Sequence, residues 1–394
     1  MARYHLKMYR GVGFATSRIL NSQMKISRCL QTSACQIPST HTAEVTDPVP
    51  KTIFSAIQPT GIPHLGNYLG AMKFWVHLQK TEQSSTKLIF SVADLHALTV
   101  PQVPELLRKS RLQTLASMLS VGLDETRCTI FMQSEFGTVT ELMWILSCTA
   151  SLGYLSRMTQ WKSKANLNSN ATFKENNGIT AKAKLGLFSY PVLQAADILI
   201  HRATHVPVGA DQAQHLEFAR ECVTNFNATY SPVLVKPQTL HSPTTRIRSL
   251  ANPSQKMSKS HAARNSRILV TDTKEEIREK LNHAVTDSEN VISWNPDSRP
   301  GVSNLLSIFS AFDVSSRTPE KLAEDMKGLG LGDLKHHLTE TIEENIKPIR
   351  ERYNTLISND NYLEKVASRG LEQAILTGSK TMADVKAALG LTSR

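Results

Sequence analysis

The sequence predicts an α/β protein: a Rossmann-like, parallel-sheet domain followed by an all-helical C-terminal domain. Three observations carry this expectation. Short apolar runs are each followed by a glycine-containing turn or a helical stripe, the order that builds a parallel sheet covered by helices. From about residue 273 those runs stop and helical periodicity takes over. The chain of 394 residues is also longer than one ordinary domain needs.

The elements come in order. Pro48 and Pro50 mark the boundary before TIFSAI (52–57), a short apolar run suited to a buried strand. QPTGIPHLGN turns the chain, and YLGAMKFWVHLQ reads as a helix. KLIFSV (87–92) is a second strand, and Pro104 stands at a helix start. From there Leu106, Leu107, Leu115, Ala116 and Leu119 form a stripe running to Gly122. CTIFM (128–132) is a third strand, and Leu142 to Ala150 begins another helix. After Gly186 come an apolar helix carrying Asp197, then HVPVG, then a helix start where Asp211 and Gln214 have capping-box spacing. KMSKSHAARNSR, poor in apolar residues, is a loop. Beyond it, Thr273–Leu281, Asn304–Phe312, a start at Thr318-Pro319-Glu320 and His337–Ile357 read as helices. Thr381 is a candidate cap for a last helix ending at Gly390. The expected division is 1–43, 51–265 and 266–390.

The first of these segments is not expected to belong to the fold. Residues 1–43 hold Arg3, Lys7, Arg10, Arg18, Lys25 and Arg28 but no Asp or Glu, with apolar residues, Ser and Thr interleaved. This is the composition of a mitochondrial presequence, and it lacks the compact apolar core of a secretory signal. The formal charge of +11 therefore overstates the basicity of the remainder, which still permits an acidic partner such as RNA. No run of eighteen apolar residues argues for a membrane span. Two of the five cysteines, Cys29 and Cys35, fall in the presequence. Cys128, Cys148 and Cys222 lack ligand-like spacing, so no metal site is expected. Cys148 and Cys222 sit in apolar patterns and read as small core residues.

Two segments carry chemistry. Pro63-His64-Leu65-Gly66-Asn67 lies between a strand and a helix, where glycine admits a nucleotide and free amides face phosphate. His64 can donate to a phosphate oxygen and Asn67 to ribose or phosphate; read alone, such a histidine is as well a surface residue. Lys256-Met257-Ser258-Lys259-Ser260 suits stabilisation of triphosphate charge that grows in a transition state. Read alone, it is a solvated charge run. Together and in this order they resemble class I aminoacyl-tRNA synthetases. The segments IFSAIQPTGIPHLGNYLGA, SVADLHALTV, RMTQWKSK, YPVLQAADIL, VPVGADQAQH, KMSKS, AVTDSE and PGVSNLL narrow the resemblance to tryptophanyl-tRNA synthetases, from about residue 51 to the C-terminal helices.

The resemblance implies specific roles. Gln58, Pro59, Thr60 and Gly61 would line the substrate side of the first turn. His64, Gly66, Asn67, Gly209 and Asp211 would meet ATP, with Lys256, Met257, Ser258 and Lys259 in a closing loop. Lys162 or Lys164, with Lys164 preferred, would reach the phosphates. Tyr190 and Gln212 would hold the amino acid's ammonium and carboxylate, with His96 nearby. Asp197 would accept the indole N–H in a pocket walled by Phe54, Val206 and Val208. Three departures stand out: relatives often read Thr where this chain has His64, Gly-Glu-Asp-Gln where it has Gly209-Ala210-Asp211-Gln212, and Phe where it has Trp161.

The resemblance also implies an enzyme using ATP, with substrate-associated Mg2+, to activate L-tryptophan and transfer it to tRNA(Trp) in the mitochondrial matrix. A homodimer without membrane insertion is implied as well. A tyrosyl-tRNA synthetase, a small-cofactor nucleotidyltransferase and a catalytically dead RNA-binding protein are the rivals. None accounts for the ordered set of segments as well.

Overall fold

The computed structural model describes residues 50–165, 184–209, 212–241, 246–259, 261 and 263–392. Among them lie five parallel strands: β1 (Thr52–Ile57), β2 (Lys87–Val92), β3 (Thr129–Met132), β4 (His205–Val208) and β5 (Gln238–His241). Their order across the sheet is β3-β2-β1-β4-β5. The three N-terminal strands and β4 stand where the apolar runs predict them. β5 is not evident from the sequence, because QTLH is short, half-polar and sits at the sheet's edge. Pairing is in register along the whole of β1 and β2, from Thr52 opposite Lys87 to Ile57 opposite Val92. Strand order reverses around β1, whose neighbours are β2 on one side and β4 on the other. In doubly wound sheets, the crevice beyond the carboxyl ends of such strands is where ligands bind.

Helices cover the sheet. After β1 the chain makes one helical turn at Leu65–Asn67, a π-helical stretch at Tyr68–Met72, and then α1 (Lys73–Thr81). The periodicity predicts helix here but not its widened first part, a feature that often accompanies function. α2 (Pro104–Ser120) begins at the predicted proline. α3 (Thr138–Ser147) starts ahead of the expected Leu142. α4 (Leu185–Leu199) carries Asp197, and α5 (Ala213–Thr229) starts after Gln212 with no side-chain cap on that residue. The capping box expected from Asp211 lies outside the described residues.

The C-terminal region is helical, as predicted. α6 (Lys274–Asn282) opens on a capping box between Thr273 and Glu276, and α7 (Pro300–Phe312) begins at its proline. α8 (Pro319–Asp325), capped by Thr318, leads into α9 (Leu331–Ile357) and α10 (Asp360–Ala388). Thr381 does not cap a separate last helix. It is buried inside α10, which runs through it unbroken. Close packing explains the continuity: a Cβ built on Gly370 would lie 1.8 Å from the carbonyl oxygen of Ile130, and one on Gly378 would lie 2.3 Å from Phe136. Bare backbone at two points on one face thus lets α10 lie flush against β3 and the turn after it. Arg352 of α9 adds a bond, its Nε donating to the carbonyl of Ser120 at the end of α2 at 2.7 Å. One hydrophobic cluster runs from Ile53 and Phe90 of the sheet through Leu306, Ile342 and Leu363 of these helices. Cys222 is buried as expected, but Cys148 is exposed, because it falls just past the end of α3. Among the described residues no helix is long and apolar enough to cross a membrane.

Candidate active site

A cavity of about 540 Å³ opens at the point where strand order reverses. Its floor is the carboxyl end of β1 and β4, contributing Phe54, Gln58, Val206, Val208 and Gly209. Helix starts and the signature loop add Gly66, Asn67 and Lys256, while α4 and its neighbours add His96, Asp197 and Gln212. Residues predicted for the amino acid and for the nucleotide therefore share one space. Its size is in the range of small-ligand sites.

Asp197 is the charged group at the apolar end. It is only 3% exposed. His96 Nε2 donates to its Oδ2 at 2.9 Å, and Gln133 Nε2 reaches Oδ1 and Oδ2 at 2.7 and 2.8 Å. A buried carboxylate needs such donors to stay out of water. It still has lone-pair capacity for one more donor facing the cavity. Gln133 is in turn oriented by Leu95, whose N–H donates to Oε1 at 3.0 Å. Sequence reasoning misses Gln133, although a signal exists. It directly follows β3, at the carboxyl end of a parallel strand where site residues gather.

Tyr190 lies behind this group and does not line the cavity. Its hydroxyl is 2.8 Å from His215 Nε2 and donates to Gln160 at 3.2 Å, and burial pushes its ionisation upward. Its ring meets His96 edge-on at 6.2 Å, while Lys164 Nζ stands 4.6 Å from the ring centre. Lys164 therefore lies over Tyr190 and does not line the cavity, whereas Lys162 is buried beside Trp161. Gln212 accepts from Gln194 at 3.3 Å. Ala210 and Asp211 lie outside the described residues.

At the other end, the turn after β1 is built around His64. Asn67 N–H donates to His64 Nδ1 and His64 N–H donates to Asn67 Oδ1, both at 3.3 Å. With Nδ1 accepting, the neutral ring carries its hydrogen on Nε2. Burial, with Lys259, Lys256 and Arg267 near, lowers its pKa to about 3. His64 is therefore a neutral donor held among cations. Gly61 supplies the bend before it, at a φ of +83° that other residues rarely adopt.

The stretch that follows the signature segment docks on this turn, and Lys259 reaches it. His64 bridges Leu269, Leu65 N–H donates to Ile268, and Val270 N–H donates to Pro63. Lys259 Nζ donates to the carbonyl and hydroxyl of Thr60 at 2.9 and 3.2 Å. Burial, and then Arg267, lowers its pKa to about 7. Met257 faces inward as a core residue and Ser258 is half-buried, so the lysines carry the segment's charge. Arg246 and Ile247 also line the cavity, and sequence reasoning misses both. Arg246, the first arginine of TRIRSL, sits before the signature without a motif of its own to flag it.

A parallel sheet with this order, a His-x-Gly-Asn turn at its switch point and a lysine segment folded over that turn define a class I synthetase catalytic site. The chain matches the family described as tRNA synthetases class I (W and Y) over residues 48–347, and it belongs to that family. It is 41% identical over 346 residues to the mitochondrial tryptophan–tRNA ligase of Schizosaccharomyces pombe, covering 86% of this chain and 95% of the relative. The mitochondrial tryptophan–tRNA ligase of Saccharomyces cerevisiae is 42% identical over 345 residues, covering 86% and 90%. Among solved structures, tryptophanyl-tRNA synthetase from Mycoplasma pneumoniae superposes with a TM-score of 0.74 at 30% identity, covering 88% of this chain and 99% of that one. The Campylobacter jejuni enzyme complexed with ADP and tryptophan gives 0.69 at 29% identity, covering 86% and 99%.

Proposed function

We propose that this protein is a tryptophan–tRNA ligase, activating L-tryptophan with ATP and transferring it to tRNA(Trp) in the mitochondrial matrix. The observation that carries the reading is the buried Asp197 carboxylate in the same cavity as Gly66, Asn67 and Lys256. An indole N–H is a donor such a group accepts, with Phe54, Val206 and Val208 closing on the ring. Gln212 lies where the amino acid's polar end would face the nucleotide, while His96, bonded to Asp197, orders the indole end with the Tyr190 ring at its edge.

The tryptophan carboxylate attacks the α-phosphorus of ATP, and pyrophosphate leaves. The substrate supplies its own nucleophile, so the protein's work is positioning and charge. Gln58, Thr60, Gly61, Gly66, Asn67, Gly209 and Asp211 hold the nucleotide, and His64 donates through Nε2–H. Lys164, Lys256 and Lys259 neutralise the phosphates. Met257 anchors that loop in the core, and Ser258 adds a hydroxyl beside it. Magnesium enters with the triphosphate as part of the substrate. The terminal ribose 2′-OH of the tRNA then attacks the adenylate carbonyl, forming the ester and releasing AMP. Residues 266–390 bind the anticodon region, and contacts to its backbone weaken as salt rises.

Two further features extend the reading. Exposed apolar side chains gather at Leu98, Val100, Val103 and Leu106. This supports a homodimer that covers them. Residues 1–43, acid-free and basic, serve as the import signal.

Pyrophosphate exchange into ATP, run with tryptophan, with tyrosine and with no amino acid, tests the activity. Exchange with tryptophan alone is expected. Preference for tyrosine, or no exchange by folded protein, overturns it.

A further inference from the structure

The segments AVTDSE and PGVSNLL have no part in the cavity floor, yet the structure ties both to the base of the lysine hairpin. Residues 247–249 and 255–257 form that hairpin, with Ser249 N–H donating to Gln255 and Met257 N–H to Ile247. Arg248 pairs across it with Lys256. In such a pair the two residues do not bond to each other, so the N–H and C=O of Arg248 point away from the hairpin. Asn304 of α7 meets both. Its Oδ1 accepts from Arg248 N–H at 2.9 Å and its Nδ2 donates to Arg248 C=O at 3.0 Å. Asn304 is 4% exposed, so its amide takes the place of a third strand. The backbone of Leu250 is held in parallel by Val285 N–H at 2.9 Å. Arg299, at the start of α7, secures the preceding loop through Asp287 at 2.6 and 2.9 Å and the carbonyls of Glu289 and Val291.

We infer that Asn304 is a positioning residue for ATP activation: it clamps the hairpin at Arg248 to α7, and so fixes where Lys256 and, three residues on, Lys259 meet the triphosphate. This rests on the reading of those lysines as phosphate ligands. It assigns to the helical region a mechanical part in adenylate formation that is separate from tRNA binding. Loss of the clamp would leave two part-buried backbone groups without these partners and let the hairpin base shift.

The test compares Asn304→Ala and Asn304→Asp with Ser307→Ala, which lies one helical turn further along α7 and bonds only within it. The readout is tryptophan-dependent pyrophosphate exchange, normalised to active sites by titration. Both Asn304 variants are expected to lower kcat, raise the KM for ATP and reduce kcat/KM for ATP by about tenfold or more. The KM for tryptophan should stay within about twofold, because the clamp touches no group on that side. Trypsin should also cut faster at Lys256 and Lys259 in the ATP-free variants, a readout independent of turnover. Ser307→Ala should match the parent. Unchanged ATP kinetics per active site, or equal loss toward both substrates, overturns the inference. If Asn304→Ala leaves too little folded protein, Asn304→Asp, which keeps the acceptor, decides alone. Lys259→Ala separates the two readings. If it slows activation while the Asn304 variants do not, only the clamp fails; if it changes nothing, the lysine reading itself fails.

Discussion

Replacing Asp197 by Ala tests the centre of the proposed specificity. The carboxylate is nearly inaccessible and already holds His96 and Gln133 at 2.7–2.9 Å. A further charge-assisted bond to the indole N–H contributes roughly 1.5–3 kcal/mol, or roughly 13- to 160-fold in kcat/KM for tryptophan. Removal also strands the Gln133 and His96 donors, which adds about 1–3 kcal/mol of unsatisfied polar cost. That second cost splits between folding stability and binding. The tryptophan term should therefore reach at least about tenfold even where stability absorbs the remainder. In the proposed arrangement ATP meets the far wall, so its KM should move less than about twofold.

The assay is pyrophosphate exchange with each substrate varied in turn, beside a thermal melt. Gln133→Leu offers an internal check. It keeps the carboxylate but removes one of its donors and leaves Leu95 N–H unpaired, so it should cost tryptophan use less than Asp197→Ala does. Equal losses for ATP and tryptophan in Asp197→Ala would refute the assignment of this carboxylate as indole acceptor. So would a Gln133 variant more damaged than the Asp197 variant.

Other consequences can be measured directly. Lys259→Ala should slow adenylate formation while leaving tryptophan affinity close to the parent's; loss confined to tryptophan binding would contradict the role given to it. Because the Lys259 pKa is lowered to about 7, free enzyme above that pH carries it mostly neutral. A bound triphosphate should raise the pKa again, so ATP binding should take up a proton from pH 7 to roughly 9, fading below 7 where the lysine is already charged. Calorimetry in two buffers of different protonation heat should show that uptake in the parent and not in Lys259→Ala. Gly370→Ala should destabilise by about 3 kcal/mol, since the methyl would strike the Ile130 carbonyl and α10 would have to lift. Gly332→Ala, with nothing near its Cβ, should leave the melting temperature unchanged or slightly higher. A fluorescent protein fused behind residues 1–43 should enter mitochondria; diffuse cytosolic signal would reject the import reading.

The parts of this architecture legible in the sequence are those with local causes. β1, β2 and β3 are short apolar runs bounded by turns, and α6 and α8 announce themselves through Thr caps. Residues at the two ends of the cavity stand out as well, because Asn67, Lys256 and Asp197 sit in segments of characteristic order. What stays hidden depends on distant contacts. β5 forms only because β4 offers it an edge, with Val206 opposite Thr239. Thr381 looks like a cap, yet tertiary packing against β3 carries α10 straight through it. Gln133 is an ordinary polar residue until the fold brings it to Asp197, sixty-four positions away.

The same distinction separates two kinds of site residue. Lys259 and Asp197 can be proposed from sequence because their chemistry is carried by their own side chains. The protonation states that make the site work cannot. His64 is kept neutral by burial and by Lys259, Lys256 and Arg267, and its hydrogen is directed to Nε2 by the amide of Asn67. A histidine in water would carry its charge at mildly acid pH. In the free enzyme it should stay neutral across the working range, so no ionisation of its own should shape kcat/KM for ATP between about pH 5 and 9. A pH profile of exchange that loses an inflection near about pH 6 when His64 becomes Asn would show the ring to be charging after all. Then the neutral-donor role would have to be given up in favour of a fourth cation over the triphosphate.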